Sequence, residues 1–427
     1  MTIADTHRTI NAVWRIESAK VIGALARMTR DVGVAEELAQ DALLAALEQW
    51  PRDGLPDNPA AWLMATAKHR ALDLLRRRKL HAAKESEISH EIDTAHAMRA
   101  ADHADAVDAA LDDDVGDDLL RLVFTSCHPV LSPEARVALT LRMLGGLTTD
   151  EIARSFLVSE PTIAQRIVRA KRTLSNARVP FEAPRAHELP ERLASVLEVI
   201  YLVFNEGYAA TAGQDWMRPA LCDEALRLGR ILAGLVPAEP EVHGLVALME
   251  IQASRAAARV DADGEPVLLL DQNRARWDQL LIRRGLAALD KAEQLGGAEG
   301  PYALQAAIAA CHARARTADA TDWPRIAALY ATLAGVSPSP IVELNRAVAE
   351  SMAYGPAVGL ARVATLRDEP ALQGYHLLAA VEGDLLVKLG RKAEAGDAFK
   401  RAAALARNER ERKLLLMRAL MCANGPG

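Results

Sequence analysis

Aromatic residues are scarce in this chain: Phe, Trp and Tyr make up only 4% of its 427 residues. Sandwiches and barrels lean on β-branched and aromatic side chains, so a core built mostly from Ala, Leu, Val and Ile points to helices. Cysteine is scarce too. Cys127, Cys222, Cys311 and Cys422 lie far apart, which excludes a disulfide framework and zinc-type spacing, and leaves buried thiols of a reducing cytosol as the expectation. An excess of positive charge is missing: 51 Lys and Arg face 57 Asp and Glu, a net charge of −6, so the chain as a whole is no polycation made to coat nucleic acid. No apolar run approaches the ~20 residues of a membrane span. The polar first ten residues carry no apolar stretch, so no secretory signal is expected there. With 50% hydrophobic and 25% charged residues, disorder is excluded as the dominant state.

Enzyme signatures are lacking as well. There is no phosphate-binding glycine loop with its lysine, no H-E-x-x-H and no G-x-S-x-G. Asp261-Ala262-Asp263-Gly264 opens like a calcium loop, but its glycine comes fourth instead of sixth, so it reads as a turn. Cys127-His128 and Cys311-His312 are isolated pairs and read as core thiols beside ordinary histidines. No catalytic residue, metal or cofactor is expected.

What is present is helical periodicity from end to end. Ile10, Val13, Trp14, Ile16, Val21, Ile22, Leu25 and Met28, then Val34, Leu38, Ala42, Leu43, Ala46, Leu47 and Trp50, recur at steps of three and four, as on amphipathic helices. Asn58 is placed to cap a further helix with Pro59 in its first turn. Residues 1–80 form a first module. Residues 81–118 carry twelve acidic and two basic residues and read as an acidic linker. A compact helical module follows over 119–178. Beyond Pro180, Pro184 and Pro190, residues 185–290 read as another helical module. Residues 291–427 read as helical hairpins of tetratricopeptide type, best seen from Leu389-Gly390-Arg391 to Phe399 and Ala402.

Two basic stretches stand out. Thr148 and Glu151 have capping-box spacing. After a break at 157–159, Ser159 can cap a second helix whose Ile163, Ile167, Ala170 and Leu174 form one apolar face. Thr162, Gln165, Arg166 and Arg169 share the opposite side, and residues 162–178 hold five basic residues and no acid. This is helix-turn-helix geometry that offers polar side chains to a major groove. The other block, Lys68 to Lys79, holds Lys68, Arg70, Arg76, Arg77, Arg78 and Lys79 against Asp73 alone. It suits phosphates, with Trp62 two turns upstream as a stacking surface; a core Trp62 and a helix end favoured by the macrodipole would leave the same pattern.

These stretches, in this order, resemble the extracytoplasmic-function (ECF) sigma factors of bacterial RNA polymerase. Ala35-Glu36-Glu37-Leu38-Ala39-Gln40-Asp41-Ala42-Leu43 is similar to the clamp-docking helix of region 2. Asn58 through Asp73 and Asp73-Leu74-Leu75-Arg76-Arg77 resemble its −10 segments, and Thr148 to Leu174 the region 4 helix-turn-helix. Tyr201 to Tyr208 and Asp271-Gln272-Asn273-Arg274-Ala275-Arg276-Trp277-Asp278 resemble a subgroup with a long, tetratricopeptide-like C-terminal extension; Asn273 stands where that subgroup usually has Asp.

The resemblance implies an all-α protein of two small sigma modules, the second with the helix-turn-helix, followed by a helical extension. It implies a cytoplasmic, non-enzymatic factor whose partners are RNA polymerase core, promoter DNA and a small regulator protein bound by the extension. Glu36, Glu37, Gln40 and Asp41 would meet the polymerase. Trp62, Lys68, Arg70, Arg76 and Arg77 would engage and help melt the −10 element. Thr162, Gln165, Arg166 and Arg169 would read the −35 duplex, with Lys171 and Arg172 on phosphates. Asp271, Gln272, Arg274, Trp277 and Asp278 would form a regulatory motif, or equally a satisfied core motif tying two helical modules. The competing reading is a free-standing helix-turn-helix regulator with a ligand-sensing C-terminal domain, and segment 31–80, which a simple repressor does not need, separates the two.

Overall fold

A computed structural model describes residues 3–87, 115–156, 158–210, 216–261 and 265–424. Among these residues there are helices and no strands, with a single isolated bridge between Val260 and Pro266. The chain divides into two compact units, Met1–Ile200 and Tyr201–Gly427.

In the first unit, α1 (Ile3–Thr29), α2 (Val32–Asp53) and α3 (Pro59–Glu87) pack on one another. Asp31 caps α2, its carboxylate accepting from the N–H groups of Gly33 (2.8 Å) and Val34 (3.1 Å). Asn58 caps the start of α3 through the Ala61 N–H at 3.1 Å, as the sequence predicts. The apolar stripes turn inward: Ile22 and Leu25 of α1, Leu38 and Ala42 of α2, and Leu63 and Ala67 of α3 are buried, whereas Ile16, expected on the α1 stripe, is exposed. Trp50 meets Trp62 edge-on at 5.4 Å, a pairing worth about 1 kcal/mol beyond simple burial.

The second part of this unit holds α4 (Val115–Ser126), α5 (Pro133–Met143), α6 (Thr149–Phe156) and α7 (Glu160–Asn176). Helix α1 packs against α4 and α5 as well as against α2 and α3. Gly146, at φ 63°, turns the chain where a Cβ would meet Ser18 Oγ at 2.7 Å, so this turn can approach α1 only as glycine.

Two expected boundaries shift. Most of the acidic linker, 88–114, lies outside the described residues. Its ends, however, are helix: α3 runs to Glu87 and α4 starts at Val115. Asp118 is buried, ion-paired with Arg27 (3.0 Å) and Arg121 (2.9 Å), because a carboxylate flanked by two guanidiniums can leave water. The extension, expected from 185, also begins later as a separate body. Helix α8 (Leu189–Tyr208) gives residues 189–200 to the first unit. There Arg192 donates to the Phe124 carbonyl (2.7 Å), Ser195 donates to the Cys127 carbonyl (2.6 Å), and Arg136 pairs with Glu198 (2.9 Å). Val196, Leu197 and Val199 are buried.

The second unit is a succession of helices, most of them packed on the next: α9 (Pro219–Leu235), α10 (Pro240–Ala253), α11 (Gln279–Gln294), α12 (Pro301–Arg314), α13 (Trp323–Val336), α14 (Pro340–Tyr354), α15 (Pro356–Thr365), α16 (His376–Lys388), α17 (Lys392–Leu405) and α18 (Glu409–Asn424). In the repeat-like stretch, Gly390 at φ 76° ends α16 and Phe399 fills the contact between α16 and α17. Gly383 makes room for it: a Cβ there would sit 2.7 Å from the Phe399 ring. Asp261 accepts from the Glu265 N–H at 2.8 Å; residues 262–264, where the sequence reads as a turn, lie outside the described residues.

Candidate functional site

The helix-turn-helix forms as its residues dictate. Thr148 and Glu151 bond reciprocally, Thr148 N–H to Glu151 Oε2 at 2.9 Å and Glu151 N–H to Thr148 Oγ1 at 3.1 Å. Arg15 also reaches Glu151. Burial pushes the Glu151 carboxyl up, but the Thr148 N–H and the Arg15 guanidinium outweigh it and hold the group below the usual carboxylate range. Ser159 caps α7 through the Thr162 N–H at 3.4 Å, with Pro161 in the first turn. Ile163, Ile167, Ala170 and Leu174 are all buried. That burial turns Thr162, Gln165, Arg169 and Arg172 outward, all exposed, with Arg166 half-buried. Arg166, Arg169 and Arg172 carry no ion pair among the described residues, so α7 presents free guanidiniums on the face that the sequence assigns to DNA.

Lys171 is turned the other way. Its ammonium lies 2.9 Å from Glu36 Oε2, and Arg142 Nε donates to Glu36 Oε1 at 2.9 Å. Glu36 is 5% exposed. A residue expected on polymerase and one expected on DNA phosphates are thus bound to each other between α2 and α7. Arg142, which sequence reasoning missed, completes the network; nothing in its local pattern marks it. Glu37 is exposed, 3.9 Å from Lys171. Gln40 is half-buried, and Asp41 is exposed and pairs with Arg70 at 3.4 Å. Beside Lys171 a cleft of about 500 Å³ opens, with Arg27, Arg30 and Arg178 against Asp31 and Glu182 on its walls.

Along α3, Trp62 and Lys68 are half-buried, while Arg76, Arg77, Arg78 and Lys79 are exposed. Arg76 has Asp73 at 3.7 Å. The helix therefore lays four exposed cations in a row behind a tryptophan, chemistry that suits a phosphate backbone and unstacked bases.

The motif at 271–278 lies in the second unit. Arg274 donates to the carbonyls of His312 (2.7 Å) and Ala315 (2.8 Å) and to Thr321 Oγ1 (2.9 Å). Trp277 is buried, Gln272 donates to the Val267 carbonyl at 3.2 Å, and Asp278 caps α11. Asp271 is exposed. Among the described residues no group of His, Cys, Asp and Glu could hold a metal, and no helix is long and apolar enough to cross a membrane.

Comparison with known proteins matches this arrangement segment by segment. Residues 15–81 match sigma-70 region 2, residues 121–174 match sigma-70 region 4, and residues 192–293 match a family of unknown function, DUF6596. An uncharacterized protein of Rhizobium meliloti is 46% identical over 93% of this chain and 92% of its own length. The ECF RNA polymerase sigma factor SigK of Mycobacterium ulcerans is 31% identical over 37% of this chain and 79% of its own. The probable ECF RNA polymerase sigma factor SigI of Mycobacterium tuberculosis is 27% identical over 44% of this chain, and the match spans 61% of that protein. A helix-turn-helix with a free cationic face, a region 2 helix with exposed arginines and the similarity to SigK lead to one statement: the chain belongs to the ECF RNA polymerase sigma factor family.

Proposed function

We propose that this protein directs RNA polymerase core to specific promoters and helps open them, as a non-enzymatic cytoplasmic factor. The observation that carries the reading is the capped, amphipathic α7, whose buried stripe turns Thr162, Gln165, Arg166 and Arg169 to one outer side. In this reading α7 enters the major groove of the −35 element, where a guanidinium can pair bidentately with guanine. Arg76 and Arg77 at the end of α3 engage the −10 element, with Trp62, Lys68 and Arg70 behind them. Glu37, Gln40 and Asp41 on α2 offer a surface to the polymerase, joined by Glu36 once Lys171 lets go. The helical hairpins of the second unit, read as tetratricopeptide-like, set activity and bind a small regulator protein.

Run-off transcription with purified core polymerase tests the proposal. Promoter-specific transcripts that depend on the added chain are expected. Their absence, with the chain folded and polymerase active on another sigma factor, would overturn it.

A further inference from the structure

The two stretches singled out in the extension, 201–208 and 271–278, are brought together around a third group that neither contains. Arg255, at the end of α10, is 8% exposed, and Arg259, just beyond it, is 7% exposed. The Arg255 guanidinium lies 5.7 Å from the Tyr208 ring centre and 5.8 Å from that of Trp277. Arg259 stacks 3.6 Å from the Tyr208 ring centre and donates to the Tyr208 carbonyl. Arg274 lies 5.0 Å from the Trp277 ring centre.

No carboxylate answers these charges among the described residues. The Arg255 guanidinium has neither a hydrogen bond nor an ion pair there, and that of Arg259 has no ion pair. The acids nearby in sequence pair with other groups: Glu206 with Arg218, Asp278 with the N-terminus of α11, and Glu250 through Oε1 with Arg230 at 2.8 Å, its Oε2 having no partner. His312 adds no charge at neutral pH, because burial first and then Arg255 and Arg274 lower its pKa to about 4. The buried polar atoms left without a partner include the donors Arg255 Nε, Arg274 Nε and Trp277 Nε1, and the oxygens Glu250 Oε2 and Gln272 Oε1. Aromatic faces attract a guanidinium but accept few of its five N–H bonds, and a buried cation without an acceptor is costly. What the Arg255 guanidinium lacks among the described residues is an acceptor within hydrogen-bond reach.

We propose that the interior of the second unit binds a small organic anion, a carboxylate or a phosphate ester, on Arg255 with Arg259 beside it. A planar guanidinium fork fits either anion bidentately. The low exposure of both arginines favours a small molecule over a protein surface. The site goes beyond the promoter-directing role, and its test reads unfolding, so its failure is separate from failure of the transcription reading.

The experiment is thermal unfolding of the full chain at constant ionic strength, titrated with sodium phosphate or sodium benzoate against sodium chloride. A saturable rise in midpoint of about 5 °C with phosphate or benzoate, and none with chloride, is expected. A response to phosphate alone assigns a phosphate ester, and a response to benzoate alone a carboxylate. Arg255→Met should abolish the response. The same rise with all three salts, no rise with any, or a saturable response retained in Arg255→Met would overturn the site. Should Arg255→Met fail to fold, Arg255→Lys keeps the charge without the fork. It must then weaken the anion's affinity by about tenfold or more, and unchanged affinity would overturn the proposal equally.

Discussion

Lys171 of α7 donates to Glu36 of α2 across 2.9 Å, in a site where Glu36 is almost fully enclosed. Together with Arg142 on the other carboxylate oxygen, the pair fastens the helix-turn-helix to the region 2 helices. Removing one member of a buried network leaves the others charged and unpaired. Glu36→Gln should therefore destabilise the chain by about 3 kcal/mol, measured by urea unfolding. Combined with Lys171→Met in a double-mutant cycle, it should show a coupling of about 1–3 kcal/mol. A coupling near zero would mean that the two side chains do not hold each other in solution.

The exposed face of α7 should behave in the opposite manner. Arg169→Ala should leave the unfolding midpoint unchanged, because Arg169 bonds to nothing among the described residues. It should weaken promoter-specific binding by about 1–3 kcal/mol, tenfold or more, when the arginine reads a base. Transcription from promoters with altered −35 elements checks this, and an unaltered promoter profile would remove Arg169 from the reading face.

Residues 189–200 of α8 pack within the first unit. A chain cut after Pro184 loses Arg192, Ser195 and Glu198, and uncovers the apolar partners of Val196, Leu197 and Val199. It should unfold at a lower temperature than a chain cut after Ile200, and bind more of a hydrophobic dye. Equal midpoints would show that the packing of 189–200 contributes nothing.

Acid should loosen the second unit. The folded-state pKa of His312, about 4, lies below the usual 6.5. Below pH 6.5 the unfolded chain takes up a proton that the folded chain refuses, so stability falls with pH between 6.5 and about 4, by at most about 3 kcal/mol. His312→Gln should flatten this part of the profile in pH-dependent urea unfolding. A profile that keeps its full slope in His312→Gln would place the titration elsewhere.

Much of this was legible in the order of residues. Capping pairs such as Thr148 with Glu151, Ser159 with Thr162 and Asn58 with Ala61 are local, and a local rule finds them. So is the stripe Ile163, Ile167, Ala170, Leu174, whose burial fixes which side of α7 faces out. What stayed hidden is long-range. Arg142 meets Glu36 across 106 positions, and no periodicity carries such a partner. Lys171 reads as one more cation in a basic helix until the fold turns it inward. The break at the prolines 180, 184 and 190 suggested a module boundary, yet packing continues through it, because apolar burial at residues 193–200 outweighs the punctuation.

Arg274 fastens the loop between α12 and α13 through two backbone carbonyls and one hydroxyl. Every residue type offers a carbonyl, so the loop owes its path to the chain's own backbone rather than to the side chains at 312 and 315. Sequence drift at 315 is therefore cheap, whereas Thr321, which supplies the hydroxyl, and Arg274 are not free to change: lysine brings a single point of charge where a fork must span three acceptors. The freedom at 315 and the rigidity of one arginine are two sides of the same contact.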